Sequence, residues 1–570
     1  MYLKKSRQKS GRVYLSIVDG YYDKERGHSR TVTIEKVGYL DELEKVYEDP
    51  IAVFEDRVKQ LKKEKAEKKQ PVVVEFSPEE RLEKGTGQRK NIGYLALSQL
   101  YHELGIDQFL VNRQKTTKLG FNTNDVMKLL VFSRLLRPGS KRRAFEDRHW
   151  FFEKTNYSLD DVYRSLSFFH QHRKALQLWI HERIQQSYGR DTRLVYYDVT
   201  NYYFESEPSE RLRQNGFSKE RRSSPIVQMG LFMDSMGIPI TYELFPGNWN
   251  DSLTYRPCLS RIHREFGLGK VVVVADKGII TGDNILYTLS GKHGYVFSFS
   301  IRGADEAFQE YVLDQSGYEW YGDKYKRKSR LYPRKIWMTN QQGKKVQTTV
   351  HERQVVFYSE KYARKAKRER EKAVSKAMDL IQHPGRYSRA TSKGAAGYVK
   401  HLQFDKKTGE VLERDHQLEL DLEKVAAEES LDGYYALVTS EYQESPDQII
   451  DMYRGLWRIE ESFRVTKSDL EARPVYVSRE DHIEAHFLTC FVALVMARLL
   501  ERKLDRQYSI RCLLESLAKT ECTPLKQNYY LFDHYDEVME NVGTTFNLDF
   551  SKRIRTLGDI KKMLASTKKR

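Results

Sequence analysis

Residues 453–467 read YRGLWRIEESFRVTK, and the interpretation of the whole chain turns on them. After Gly455 the stretch has neither glycine nor proline, and Leu456, Trp457, Ile459 and Phe463 recur at helical intervals, so the pattern predicts a helix. Tyr453, Glu460 and Lys467 are spaced by seven. Seven residues make almost two helical turns, which lines a phenol, a carboxylate and an ammonium along one face, roughly 10 Å between neighbours. An acid then stands between two groups suited to phosphate. A second reading stays open: an exposed helix with pairs such as Glu460 with Arg464 at i,i+4. The adjacent Glu461 projects about 100° away from the face shared by Tyr453 and Lys467.

Outward from this stretch, bulk properties narrow the function. The chain has 570 residues, too many for one core, and a length prior of about three or four domains. Lys and Arg outnumber Asp and Glu by 97 to 80, a formal net charge of +17. That excess favours an extended polyanion, with nucleic acid as the leading partner. Membrane insertion is not expected, because the most apolar helix has only the uncharged run Phe487 to Ala497, short of the roughly 18 residues a span needs. MYLKKSRQKS leads into a strand-like segment and not into an apolar signal region, so the expectation is a cytosolic protein. Cys258, Cys490, Cys512 and Cys522 show no CxxC spacing and read as buried thiols.

Upstream, residues 12–40 read as a β-hairpin, and the charged run Lys59 to Gln70 as a linker. A helical region follows. Leu97, Leu100, Tyr101 and Leu104 form one stripe closed by Gly105, and Val126, Leu129, Leu130 and Val131 a second that stops at Pro138-Gly139. Ser140 then caps a helix whose first turn holds Lys141, Arg142 and Arg143; these cations oppose the helix dipole, and a docked phosphate would relieve the conflict. An exposed basic turn is the alternative.

Leu194 to Val199 reads as a central strand buried on both faces and interrupted by Asp198. A carboxylate in that setting calls for a cation or a full set of partners. Ile226 to Met233 and Ile238 to Phe245 form a hairpin, a helix follows from about Leu253 to Phe266, and VVVVADKG is a strand whose end presents Asp276. Strand ends in α/β sheets are where ligands bind. Asp283 is a competitor, but it falls at a helix start, where acids are ordinary. The interval from Asp276 to Glu460 is longer than a helix connection needs, which implies an insertion. Within it, Trp320 to Trp337 interleaves aromatics with Lys and Arg, a composition that tracks phosphates and stacks on bases or, alternatively, a β edge with snorkelling cations. EKYARKAKREREKAVSKAM reads as a basic helix, and Leu431 to Ser440 restores a buried strand. His482 and His486 sit at i,i+4, but Ile483 replaces the Glu of the zinc protease pattern, and no zinc site is expected. The helix from about Asp481 to Glu501 carries a broad apolar face expected to cover the sheet, and residues 505–570 read as a helical tail.

Three acids thus come from three separated elements: Asp198, Asp276 and Glu460. Hard oxygen ligands of this kind suit Mg²⁺ or Mn²⁺, and two such ions can activate a hydroxyl and stabilise the leaving oxygen of a phosphodiester.

These residues resemble the DDE transposases of bacterial insertion sequences, in particular the large-chain branch of the insertion-sequence-four superfamily with its Tyr-x2-Arg-x3-Glu-x6-Lys signature. Tyr453, Glu460 and Lys467 match that signature, and DVT at Asp198, FPGN at Phe245 and ADKG at Asp276 are similar to the blocks around the two aspartates. The likeness covers about residues 190–500. Leu456 stands where the group has Arg, with Arg458 or Arg464 as substitutes for that phosphate contact. The resemblance implies an α/β fold: an RNase H-like catalytic core (191–300 and 431–503) interrupted by a largely β insertion domain (301–430). A β-hairpin with a charged linker (1–85) and a helical DNA-binding domain (86–190) would precede it, and a helical C-terminal tail (504–570) would follow. It implies binding of double-stranded DNA at terminal inverted repeats and at the target, metal-dependent hydrolysis, attack by the freed 3′-hydroxyl, release through a hairpin intermediate in some members, and a homodimer in the DNA complex. By that analogy Tyr453 and Lys467 hold a DNA-end phosphate, and Trp320 or Trp337 stacks on a displaced base. Two other readings use the same features: an RNase H-like nuclease or junction resolvase without joining, and a transposase-derived DNA-binding protein without catalysis.

Overall fold

The computed structural model describes residues 1–8, 10–23, 28–67, 79, 81, 89–205, 209–217, 224–383, 394–402 and 418–568. It divides into two compact units, Met1–Lys84 and Gly85–Arg570. In the smaller one, Val13–Asp23 and His28–Tyr39 pair antiparallel, and Tyr2–Arg7 adds a third strand on the other side of Val13–Asp23. Leu15, Ile17, Val18 and Val58 are its buried apolar residues, the last from the helix Pro50–Glu67. The charged run expected as a linker continues that helix as far as Glu67.

The larger unit is built on one mixed nine-stranded sheet. Its strands are β1 (Leu194–Tyr203), β2 (Ile226–Asp234), β3 (Pro239–Pro246), β4 (Val272–Ala275), β5 (Gly294–Phe299), β6 (Glu319–Tyr321), β7 (Tyr325–Thr339), β8 (Lys345–Tyr358) and β9 (Tyr434–Thr439), in the spatial order β6-β7-β8-β9-β5-β4-β1-β2-β3. β1, β4 and β5 are parallel and every other neighbouring pair is antiparallel. The parallel strands are the near-continuous apolar runs of the sequence, as burial on both faces demands.

One face is covered by α2 (Asp251–Glu265) and α3 (Gly282–Ser290), whose Tyr255, Leu259, Ile262 and Ile285 pack with Val195, Tyr197, Val273 and Phe297. The other packs with α5 (Pro446–Arg454) and α6 (Trp457–Arg464), through Ile449, Ile450, Ile459 and Phe463 against Tyr196, Val274, Val296 and Leu437. Each such buried Leu, Ile, Val or Phe contributes about 1.5–3 kcal/mol.

α7 (Glu480–Lys503) is apolar all round because it is enclosed: besides β3 it contacts α1 (Leu159–Tyr188), Thr123–Leu136 and Tyr94–Glu103. By length and composition it passes for a membrane span, but its entire apolar window is buried in the protein. The expected helical tail is mixed. Glu521–Pro524, Tyr529–Phe532 and Ile554–Thr556 form a small sheet with Lys90–Asn91, alongside the helices Ile510–Lys519, Glu537–Phe546 and Leu557–Ser566. Gly93 permits this closure, since a Cβ there would overlap the backbone of Leu517. Residues 301–430, expected as largely β, are as much helical: Glu306–Leu313, α4 (Glu360–Gln382) and Leu422–Ser430 accompany β6, β7 and β8, which lengthen the main sheet through β9.

Candidate active site

Strand parity decides which side chains meet. Tyr196, Val274 and Val296 belong to the face under α5 and α6. Asp198, Asp276 and Ser298 lie two residues beyond each of them, so all three turn toward that face. Tyr196 is paired with Val274 in parallel register. The parallel pairing ends at Tyr196 and Val274, so Asp198 lies two residues beyond the last pair within β1 and Asp276 one residue beyond the end of β4, on the same face of adjoining strands. Ser298 donates a 2.6 Å hydrogen bond to Asp276 Oδ1, and the Tyr453 hydroxyl reaches the same oxygen at 3.5 Å. Burial, and next the charge of Asp276, push the Tyr453 phenol above its usual range, with Glu460 acting in the same direction.

The expected continuous helix through 453–467 is broken twice. α5 ends at Arg454, Leu456 and Arg458 bond back by three residues to Tyr453 and Gly455, and α6 begins at Trp457. Gly455 has ordinary helical dihedrals, and its lack of a side chain admits the hydroxyl of Tyr196, which a Cβ there would overlap. Val465–Asp469 then forms a π turn that contains Lys467, closed by Leu470 N bonding to Val465 O at 2.9 Å. The helical path from Tyr453 through Glu460 to Lys467 therefore departs from regular α geometry at 455–456 and at 465–469 while keeping right-handed helical dihedrals at Gly455, Leu456 and Val465. Tyr453 still reaches Asp276, Glu460 is exposed on α6, and the Lys467 ammonium lies 5.6 Å from the ring centre of Tyr202.

Glu461 has a structural partner. Its Oε2 accepts from buried Arg498, which also donates to Ser462 Oγ, to Arg458 O and to Glu501. Among the described residues no Lys or Arg pairs with Glu460 or Asp276. Arg458 packs inward against Gly237 and the Tyr196 hydroxyl, and Arg464 pairs with Asp469 at 3.4 Å, so both proposed substitutes at Leu456 have local roles; Leu456 itself is core. Asp283 accepts from the backbone and hydroxyl of Thr339. Among the described residues, no three His, Cys, Asp or Glu side chains are gathered closely enough to hold a metal ion.

At the far side of the sheet, register separates the two tryptophans. Trp320 pairs with Lys326, one residue out of phase with Tyr321 and Tyr325. Trp337 lies twelve positions along β7 from Tyr325, about 40 Å. The aromatics nearer the carboxylates run across the strands from Tyr435 to Phe357, Tyr325 and Tyr321, with successive centroids 5.7, 6.2 and 5.3 Å apart.

The basic turn after Pro138 requires a correction. Ser140 caps the helix Lys141–Glu146, but Lys141 and Ala144 share its inward face, and the Lys141 ammonium is buried against His486 Nδ1. Burial and then Arg134 lower its pKa to about 7. Lys141 is thus not an exposed phosphate contact. Arg142 and Arg143 are exposed and pair with Glu146 and Asp147 at 3.0 and 2.8 Å.

Ser298 and Arg498 were missed by the sequence reading. The available signals were a serine in an otherwise apolar and aromatic strand and a single cation in the apolar run of α7.

Residues 190–496, more than half of the chain, match the family described as Transposase DDE domain. The chain belongs to the transposase DDE-domain family. A piggyBac transposase synaptic complex with hairpin DNA aligns at 7% identity and TM-score 0.36, over 85% of this chain and 88% of that one. A Mos1 transposase paired-end complex with left transposon end aligns at 14% identity and TM-score 0.14, over 30% and 58%. A Mos1 mariner paired-end complex with Mn aligns at 13% identity and TM-score 0.10, over 32% and 61%. No curated protein matches the chain. In this DDE transposase, the matched segment spans β1, β4 and α6 and so contains both aspartates and Glu460.

Proposed function

We propose that this transposase binds terminal inverted repeats, cleaves DNA at the element ends and joins the freed 3′-hydroxyl to target DNA, with Asp198, Asp276 and Glu460 as its acids. The observation that carries the reading is that Asp198 and Asp276 follow, at the same strand parity, the paired Tyr196 and Val274 beneath α5 and α6, within a matched DDE domain. With no Lys or Arg on Asp276 or Glu460 among the described residues, the donor chemistry fits a hard divalent cation such as Mg²⁺ or Mn²⁺. Asp198, Asp276 and Glu460 would hold it, and the bound ion or ion pair supplies Lewis-acid stabilisation of the phosphodiester oxygens.

The chain's own groups do the rest. Ser298 orients Asp276 through its hydrogen bond. Tyr453 keeps its proton at neutral pH and offers a hydroxyl beside that carboxylate, and Lys467 brings a positive charge from the π turn that follows α6. The order β3-β2-β1-β4-β5, antiparallel then parallel, supports an RNase H-like core with 301–430 inserted in it. The spacing of Tyr453, Glu460 and Lys467 supports placement in the insertion-sequence group with that signature.

The test is incubation of the purified protein with inverted-repeat DNA, Mg²⁺ and a target plasmid. Joined product that disappears on chelation, and with Asp198→Ala, Asp276→Ala or Glu460→Gln, is the expected result. Cleaved but unjoined DNA would favour a nuclease, and cleavage by the Asp variants would sink the assignment.

A further inference from the structure

α4 presents a cationic stripe that the proposed chemistry does not use. On a helix of 100° per residue, Lys361, Arg364, Lys365, Arg368 and Lys372 fall within about 100° of one another, and Lys376 borders them. All six are exposed. Among the described residues, only Lys365 of this group has an ion pair, a 4.0 Å contact with the equally exposed Glu369. The opposite face carries Ala377, Leu380 and Arg370, the last held by Asp432. The stripe therefore faces solvent by construction, at a cost: exposed like charges at i,i+4 destabilise a helix by a few tenths of a kcal/mol per pair.

Its position connects it to the site. β8 ends at Tyr358 and α4 begins two residues later, and Tyr362 of its first turn packs against Tyr435 with centroids 4.9 Å apart. Two residues along β9 from Tyr435, Leu437 pairs with Ser298, whose hydroxyl bonds Asp276. From Lys361 to Lys376 the stripe runs about 22 Å away from that end, with roughly one cation per turn, near 5.4 Å. This density suits a nucleic-acid strand, which carries one charge per about 3.4 Å of duplex axis.

We propose that the outer face of α4 is a rail for the phosphates of the DNA leaving the carboxylate pair. The proposal rests on the DNA-transposase reading. It assigns Lys361, Arg364, Lys365, Arg368 and Lys372 to the backbone, so they act on affinity and salt dependence without reading sequence.

The experiment measures binding of the full-length protein to a labelled duplex between 50 and 200 mM salt. The variant carries Lys361→Gln, Arg364→Gln, Lys365→Gln, Arg368→Gln and Lys372→Gln, all helix-compatible changes at exposed positions. The wild type should lose affinity steeply with salt. If all five contact phosphate, the slope of log K against log salt becomes shallower by about 4.5, and the affinity lost over this range shrinks by on the order of 500-fold. Lys361→Gln with Arg364→Gln alone should lower the slope by about 2, which keeps the test available if the fivefold variant misfolds; Lys361→Arg, Lys365→Arg and Lys372→Arg together should leave it unchanged. A wild type that binds DNA with the same slope as folded variants overturns the rail alone. A wild type that ignores DNA, or prefers anionic lipid vesicles, overturns the DNA reading beneath it.

Discussion

Replacing Gly455 with alanine tests how the joint between α5 and α6 is made. In a regular helix the change would stabilise by roughly 0.5–1 kcal/mol, because glycine loses more backbone freedom on folding. Gly455 already has φ −60° and ψ −15°, so no dihedral penalty applies. Space decides the sign. The added Cβ would stand 2.5 Å from Tyr196 Cζ and 2.8 Å from Arg458 Nη1, and nearer still to the Tyr196 hydroxyl. Arg458 is the end of a long side chain and can yield, but Tyr196 is only 2% exposed in the central strand. Overpacking of this kind costs about 1–3 kcal/mol, which exceeds the propensity gain and leaves a net loss of about 1–2 kcal/mol. Because the joint separates Tyr453 from Glu460, the accommodation also moves one relative to the other, and a 1 Å displacement can cost on the order of 100-fold in rate. Urea unfolding and strand cleavage should be measured for Gly455→Ala, Tyr196→Leu and the double variant, with Gly269→Ala as control, since no atom lies within 4 Å of a Cβ there. A coupling of at least about 1 kcal/mol between positions 196 and 455 is expected. Stability and cleavage equal to wild type for Gly455→Ala, or strict additivity in the cycle, would refute the close-contact explanation.

Three further perturbations follow from particular contacts. Ser298→Ala removes the donor that orients Asp276 and should raise the divalent-ion concentration needed for cleavage by about 10–100-fold, with little change in DNA binding, as read from an Mg²⁺ titration. Arg498→Met leaves Glu501 and Glu461 without their buried partner and should destabilise by about 3–5 kcal/mol in denaturant unfolding; a loss under about 0.5 kcal/mol would mean the arginine does not clamp α6. Lys141 has its pKa lowered to about 7 by burial and then Arg134, with His486 and Cys490 as its other polar neighbours, so the unfolded chain binds more protons between about pH 7 and 10. Wild-type stability relative to Lys141→Met should therefore rise across that window by up to about 1.4 kcal/mol per pH unit and be flat below it, and a fall with rising pH would contradict the buried placement.

The sequence was most informative where a residue's surroundings are local. Leu194–Tyr203 and Val272–Ala275 show themselves as buried parallel strands by their apolar runs, and the aspartate that interrupts the first and the one that directly follows the second are conspicuous for that reason. Periodicity reports a face, however, and not its partner. The need for glycine at 455 depends on Tyr196, the burial of Lys141 on His486, and the closure of the C-terminal sheet on Asn91, each contact spanning hundreds of residues. The addition of β6, β7 and β8 to the main sheet through β9 is likewise a matter of edge pairing, which no local pattern encodes.

The choice between Glu460 and Glu461 shows how a sound preference can rest on a geometry that is not there. Spacing favours Glu460 because an unbroken helix would stack it with Tyr453 and Lys467, and that helix is interrupted on both sides. The structure distinguishes the two acids in another way. Arg498, in the last quarter of α7, pairs with Glu461 and at the same time holds Ser462 and the carbonyl of Arg458, so one buried cation fixes the turn that carries both acids. Glu460 is left without a cation among the described residues, on the helix that packs against β1. What separates the two acids is that Glu461 is held by Arg498 while Glu460 is open to solvent, which leaves Glu460 as the proposed third acid, to be tested with Glu460→Gln.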